Sequence, residues 1–253
     1  YQKKYPLKVK VYKELQKGAS FARNKGINES SGEWIQFLDS DDLLMPNKIS
    51  TQLKFLSNNS IDFIVGGYII ESKDGISSTK IPLNDVWAGL ILGQLGYTCS
   101  NLFKKSLILK SKGWRDVKSS QEYYFMFDLI KLNPQILISE APLTRKRENN
   151  PNSISNKDKS GNWSRFIDLR MQIHEYMIEK YLINSYYDKL IKTTLLTSIR
   201  ILFKFDKDKA YDYYQKFLKK VSLLEPISFK NKIYIVLSKL IGFYRTEKLI
   251  GRN

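Results

Sequence analysis

The 253-residue chain has a single cysteine and a single histidine. One cysteine excludes an internal disulfide and any cysteine-built zinc cluster. With one histidine beside it, catalytic triads and haem or zinc centres are excluded too. Cys99 reads as a buried thiol in a strand, and His174 as a surface or packing residue in a charged, helical stretch. Long apolar runs are also missing. Residues 233–237 and 240–244 are apolar but separated by Lys239, well short of the roughly 18 to 20 residues of a membrane span. Acid is scarce: 25 Asp and Glu stand against 42 Lys and Arg, a net charge of +17. Such a balance attracts nucleic acid, anionic lipid or phosphorylated substrates without choosing among them. The abundance of Lys, Asn, Ile and Tyr marks part of it as compositional bias. The length allows a substantial core in one large domain, or one and a half.

Against this basic background the most ordered pattern is acidic. Residues 34–42, Trp-Ile-Gln-Phe-Leu-Asp-Ser-Asp-Asp, form an apolar strand that runs straight into Asp39, Asp41 and Asp42. In open α/β sheets ligands bind at the carboxyl ends of strands. Three acids in four positions repel one another unless a cation sits among them, and carboxylate oxygens suit hard divalent ions. A Mg²⁺ or Mn²⁺ site holding a phosphate-bearing substrate is one reading. A plain polar loop is the other, because Asp and Ser also form turns and helix N-caps.

In chain order, residues 9–12 suggest a short strand, and Gly18 opens a turn into a helix over 19–28 whose Ala19, Ala22 and Gly26 keep one face small. Pro46 stands at the first turn of a helix reaching about residue 57, with Ile49, Leu53 and Leu56 at helical spacing. Residues 61–70 read as a buried strand, Lys73-Asp74-Gly75 as a hairpin turn, and 79–82 as a short strand. A helix over 85–92 and a strand over 97–103 follow. Ser120 signals the start of a helix carrying Glu122 in its first turn, where negative charge is favoured. Residues 135–143 read as a strand ending in Thr144-Arg145-Lys146-Arg147, a solvated basic rim. From residue 163 the texture turns helical, over 163–181, 185–203, 208–221 and 229–244. Residues 165–253 hold 18 Lys and Arg against 9 Asp and Glu, a net of +9.

Several of these features occur together and in order: the helix with Arg23-Asn24, then Gly32-Glu33-Trp34, then the strand ending Asp39-x-Asp41-Asp42 with Pro46 beyond, and later Gly113-Trp114-Arg115-Asp116 and Gln121-Glu122. The arrangement resembles family 2 glycosyltransferases. The resemblance implies an α/β fold, a GT-A-type, Rossmann-like mixed sheet flanked by helices, followed by a helical C-terminal region. It implies a catalytic domain over 1–150 that lacks its first βα units, a mobile loop over 151–162, and a basic helical region over 163–253.

It also implies roles. Transfer would move a sugar from a nucleotide-diphosphate donor to an acceptor hydroxyl with inversion, using Mn²⁺ or Mg²⁺. Arg23, Asn24, Asp39 and Asp41 would contact the donor, with Asp41 the first metal ligand and Asp39 and Asp42 beside it. Glu122 would be the catalytic base, although relatives more often place Asp there. Asp116 and Trp114 would face the acceptor, a glycan or lipid-linked sugar, and Trp114 reads equally as a core residue. Asp128 stands where many relatives carry a basic residue. The implied setting is synthesis of a bacterial surface polysaccharide or glycoconjugate, in the cytoplasm or at the inner face of the plasma membrane. The basic, aromatic and aliphatic tail fits a helix on an anionic membrane surface and a bundle packed on the catalytic domain equally well. Two rivals remain. A nucleic-acid-binding protein would interleave bases with exposed aromatics, whereas here the ordered pattern is acidic, so no nucleic acid partner is expected. The other is a noncatalytic membrane-associated scaffold that has lost its pocket.

Overall fold

The computed structural model describes residues 3–5, 8–56, 60–72, 75, 77–148, 158–221 and 229–250. The chain forms two compact units, Tyr1–Asn84 with Leu95–Asn149, and Asp85–Gln94 with Asn150–Asn253.

The first unit carries a six-stranded mixed sheet: β1 (Trp34–Ile35), β2 (Leu43–Leu44), β3 (Phe63–Ser72), β4 (Ser77–Lys80), β5 (Leu102–Lys104) and β6 (Ile136–Glu148). The order is β1-β5-β3-β6-β2, with β4 also paired to β3. The central β3 and β6 run parallel. The remaining pairs are antiparallel. The apolar start of β3 is buried, as a strand covered on both faces requires. Helices α1 (Ala19–Glu29), α2 (Lys48–Lys54), α4 (Lys105–Lys110) and α5 (Gln121–Ile130) surround the sheet, whereas α3 (Val86–Leu92) belongs to the second unit.

An aromatic cluster forms the centre of this unit. Phe63 stacks on Phe103 at 4.6 Å, Trp114 stacks on Phe125 at 4.3 Å, and Phe37 meets Phe103, Trp114 and Phe125 edge-on. Edge-to-face and offset contacts of this kind match the quadrupoles of the rings. They fasten the end of the first strand, the 113–116 loop and α5 to one another.

Four local expectations are corrected. Residues 9–12 form no strand, and Val11 is 68 % exposed. Within 97–103 only Leu102–Lys104 pairs, because Ser100 bonds back to Tyr97 and makes 97–101 a turn. Pro46 precedes α2 instead of sitting in its first turn, and Asn47 is the N-cap. That helix also buries Lys48 and Gln52 and leaves Ile49 and Leu53 exposed. Its polar face turns inward because both side chains donate to the Ser100 carbonyl. Ser120 adopts φ 59° and makes no side-chain cap bond to α5. Lys73 and Asp74 lie outside the described residues.

The second unit is helical: α3, α6 (Lys159–Glu179), α7 (Ser185–Phe203), α8 (Lys207–Lys216), a 3-10 turn at Leu218–Lys220, α9 (Phe229–Leu240) and α10 (Phe243–Ile250). Asp158, Asn184 and Asp206 accept backbone N–H bonds at the starts of α6, α7 and α8, so α6 opens four residues before 163. Residues 229–244 are two helices, broken at Gly242 with φ 86°. Arg170 is fully buried and donates to Leu90 and Ile91 carbonyls at the end of α3, which satisfies two of that helix's orphan acceptors. Residues 149–157, most of the expected 151–162 loop, lie outside the described residues. Among the described residues no helix is long and apolar enough to cross a membrane.

The close approach of the 97–101 turn to β3 depends on Gly66. A Cβ there would lie 2.2 Å from the Ser100 carbonyl oxygen. Gly66→Ala is expected to lower unfolding free energy by about 1–3 kcal/mol, read from the urea midpoint.

Candidate active site

The site assembles from three segments of the first unit. After β1, Ile35 and Phe37 point into the core while Leu38 is 53 % exposed. This alternation of an extended strand anchors the chain through Phe37 two residues before Asp39. The backbone then turns, Asp42 N–H donating to Asp39 O at 3.1 Å. Arg23 reaches this turn from α1. Its Nη2 donates to Asp39 Oδ1 at 2.7 Å and its Nη1 to Gln121 Oε1 at 3.1 Å. Its guanidinium lies over the Trp114 ring at 4.5 Å. One planar cation thus joins the acidic loop to the first residue of α5.

Asp39, Asp42 and Cys99 offer two carboxylates and a thiol within 4.8 Å of one another. Asp41 stands apart from this group. It is exposed, and its main-chain carbonyl accepts Arg147 Nε at 2.6 Å. Asp42 is buried and accepts the Arg147 amide at 3.3 Å. Burial pushes the Asp42 carboxyl above its ordinary range, the Asp41 charge adds to this, and the Arg147 amide opposes it. Burial, reinforced by the Asp39 and Asp42 carboxylates, also raises the Cys99 thiol. Cys99 therefore stays protonated, its sulfur accepting the Asp39 amide at 3.2 Å. Burial and the neighbouring Asp42 carboxylate likewise keep the Tyr97 phenol protonated.

The expected donor and acceptor residues are placed differently from one another. Asn24 donates to the Trp114 carbonyl at 2.9 Å and accepts the Trp114 amide at 2.8 Å. Both polar atoms of its side chain are therefore engaged in holding the loop. Trp114 is 3 % exposed and stacked in the core. It cannot offer an open face to an acceptor, and the core reading holds. Asp116 is exposed in the same loop. Glu122 is half-buried in the first turn of α5. Among the described residues its carboxylate makes no hydrogen bond or ion pair. Asp128 is clasped by Arg115 through two bonds of 2.6 Å and by Lys131 at 2.6 Å. Burial alone would raise Asp128, but these cations hold its carboxyl below the ordinary range. It is a brace for the 113–120 loop.

Sequence reasoning missed Lys48. The lysine is 1 % exposed, with Nζ donating to Gln52 Oε1 at 2.7 Å and Ser100 O at 2.9 Å. Both partners are neutral, and burial lowers its pKa to about 7. A lysine next to Ile49 carries no local signal of burial. Gln121 and Arg147 were legible as neighbours of a named residue and as a basic cluster, but their bonds to the acidic loop were not.

Comparison with known proteins agrees with this fold. The fold matches that of S. aureus TarS in complex with UDP-GlcNAc, with a TM-score of 0.67 over 97 % of this chain and 75 % of that one, at 13 % identity. The class is therefore a GT-A-type fold with an acidic strand-end site. Residues 1–106 match the model of Glycosyl transferase family 2. The Escherichia coli UDP-Glc:alpha-D-GlcNAc-diphosphoundecaprenol beta-1,3-glucosyltransferase WfgD is 28 % identical over 142 residues, 56 % of each chain. The Staphylococcus aureus poly(ribitol-phosphate) beta-N-acetylglucosaminyltransferase TarP is 37 % identical over 118 residues, 44 % of this chain and 36 % of that protein. The chain thus spans just over half of the first relative and about a third of the second.

Lys48 makes folding pH-dependent. Folding strips a proton from a group that ordinarily keeps it to about pH 10, so stability rises from about pH 7 to about pH 10 and the full penalty applies below pH 7. Lys48→Met should remove this slope, on the order of 4 kcal/mol across the window, in urea melts recorded at successive pH values.

Proposed function

We propose that the protein transfers a sugar from a nucleotide-diphosphate donor to an acceptor hydroxyl, with inversion at the anomeric carbon. The observation that carries this reading is the Arg23 bridge. By bonding Asp39 and Gln121 together, Arg23 brings the acidic loop alongside the first turn of α5, where Glu122 stands. A leaving diphosphate and an attacking hydroxyl need those two kinds of group on opposite sides of one sugar. The family-model match over residues 1–106 and the bacterial surface-polymer relatives support the same reading. The acceptor class it favours is a glycan or lipid-linked sugar.

In this reading Arg23 and Asp39 hold the donor, Arg23 offering the planar fork that suits phosphate. The donor set suits Mg²⁺ or Mn²⁺ through its carboxylates and not through Cys99, whose thiol is protonated and soft. Asp39 and Asp42 would hold the ion, with Asp41 added from the exposed side of the same loop. Such an ion, when bound, neutralises charge that develops on the leaving diphosphate. Glu122 takes the proton from the acceptor hydroxyl as that oxygen attacks the anomeric carbon. The bond to the diphosphate breaks on the other face, and a single displacement inverts the centre. Asp116, exposed beside α5, contacts the acceptor.

The test is turnover of UDP-, GDP- and dTDP-sugars by the purified protein with Mn²⁺ or Mg²⁺. Glu122→Gln should lower kcat about 10²–10⁴-fold while donor affinity is kept. Asp39→Asn and Asp41→Asn should weaken donor binding and its response to metal. A Glu122→Gln protein that transfers at the wild-type rate would overturn the base assignment, and absence of donor binding under any metal would favour the noncatalytic scaffold.

A further inference from the structure

Two grooves open on the second unit, and their linings differ in charge. One, between α6 and α8, has a volume of about 470 Å³ and alternates Arg165, Lys209 and Lys216 with Asp158, Asp168 and Asp212. Its charges balance locally. The other, of about 670 Å³, lies where the 3-10 turn and α8 meet the break between α9 and α10. Lys219, Lys239 and Arg245 line it, and among the described residues no carboxylate does. Lys239 is anchored by donating to the Val221 carbonyl at 2.8 Å. Among the described residues Lys219 and Arg245 have no hydrogen-bond or ion-pair partner, and both are exposed.

The same break carries aliphatic side chains outward. Gly242 turns the chain with φ 86°, and before it Leu240 is 75 % exposed and Ile241 38 %. Ile233, two turns earlier on α9, is 44 % exposed, and Leu249 on α10 is 63 % exposed. Cations set beside exposed aliphatics fit a surface that is anionic at its face and apolar beneath it. They do not fit a nucleic acid strand. The aromatics that would stack on bases are already packed together, Tyr214 on Phe243 at 4.7 Å and Tyr211 on Tyr244 at 5.2 Å, with Tyr214 and Phe243 buried.

We infer that the α9–α10 break docks the protein on an anionic bilayer, with lipid phosphates seated between Lys219, Lys239 and Arg245 and with Leu240 and Ile241 entering the headgroup region. This contact stands apart from the transfer chemistry, because none of its residues belongs to the first unit.

Sedimentation of the full chain with phosphatidylcholine vesicles, with and without about 30 % phosphatidylglycerol, tests it. Binding is expected on the anionic vesicles and not on the neutral ones. Lys219→Ala with Arg245→Ala should lower partitioning about tenfold or more, and Leu240→Ser with Ile241→Ser by a comparable factor. Lys209→Ala with Lys216→Ala removes the same charge from the balanced groove and should change it less than about threefold. Melting of each variant by circular dichroism keeps loss of binding distinct from loss of fold. Equal loss in both cation pairs, indifference to the Leu240/Ile241 change, full competition by free inorganic phosphate, or no preference for anionic vesicles would each overturn the inference.

Discussion

The first unit depends on one guanidinium. Arg23 is the point where α1, the acidic loop, the 113–116 loop and α5 meet, through an ion pair, a side-chain hydrogen bond and a stacking contact. Each of these uses a different property of the group: charge, directional N–H bonds and a flat, weakly hydrated face. Lysine would reproduce only the first. Asn24, one residue on, fixes the same loop through both Trp114 backbone groups. Two adjacent residues of one helix therefore set the separation between the acidic strand end and the start of α5.

The ground beneath the acids is dry, and that shapes their chemistry. Asp42, Tyr97 and Cys99 are all pushed toward their neutral forms by burial. Asp39, half-exposed, is the member that pairs with Arg23. Lys48 is held by Ser100 and Gln52, and among the described residues it has no carboxylate partner. A buried cation bonded to neutral groups alone costs stability unless it gives up its proton. Its position under the 97–101 turn ties α2 to the segment that carries Cys99 and Tyr97, so the acidic loop rests on a layer of neutral donors and acceptors.

The second unit follows a different logic. Its helices are capped by Asp158, Asn184 and Asp206, and its buried ionic groups are satisfied locally. Arg170 bonds the end of α3, and Glu247 accepts Arg200 at 3.1 Å and the Tyr234 hydroxyl. The charge left over gathers at the surface, balanced in one groove and, among the described residues, without a lining carboxylate in the other.

The sequence by itself determined the local features whose cause is local. The buried run of β3, the span of α7 and the acidic end of the first strand followed from periodicity and residue type, and the mixed α/β class from the resemblance that the order of motifs carries. The tertiary structure decided which side chains those features serve. Nothing near Lys48 in the chain shows that Ser100 lies across from it, and α2 accordingly turns its polar face inward. Trp114 became core and Asn24 a clamp because each meets residues some 90 positions away. Asp42 rather than Asp41 joined Asp39 for the same kind of reason: the turn and Arg147 direct one carboxylate inward and leave the other in water. Periodicity reports which residues share a face, and long-range donors and acceptors decide what that face touches.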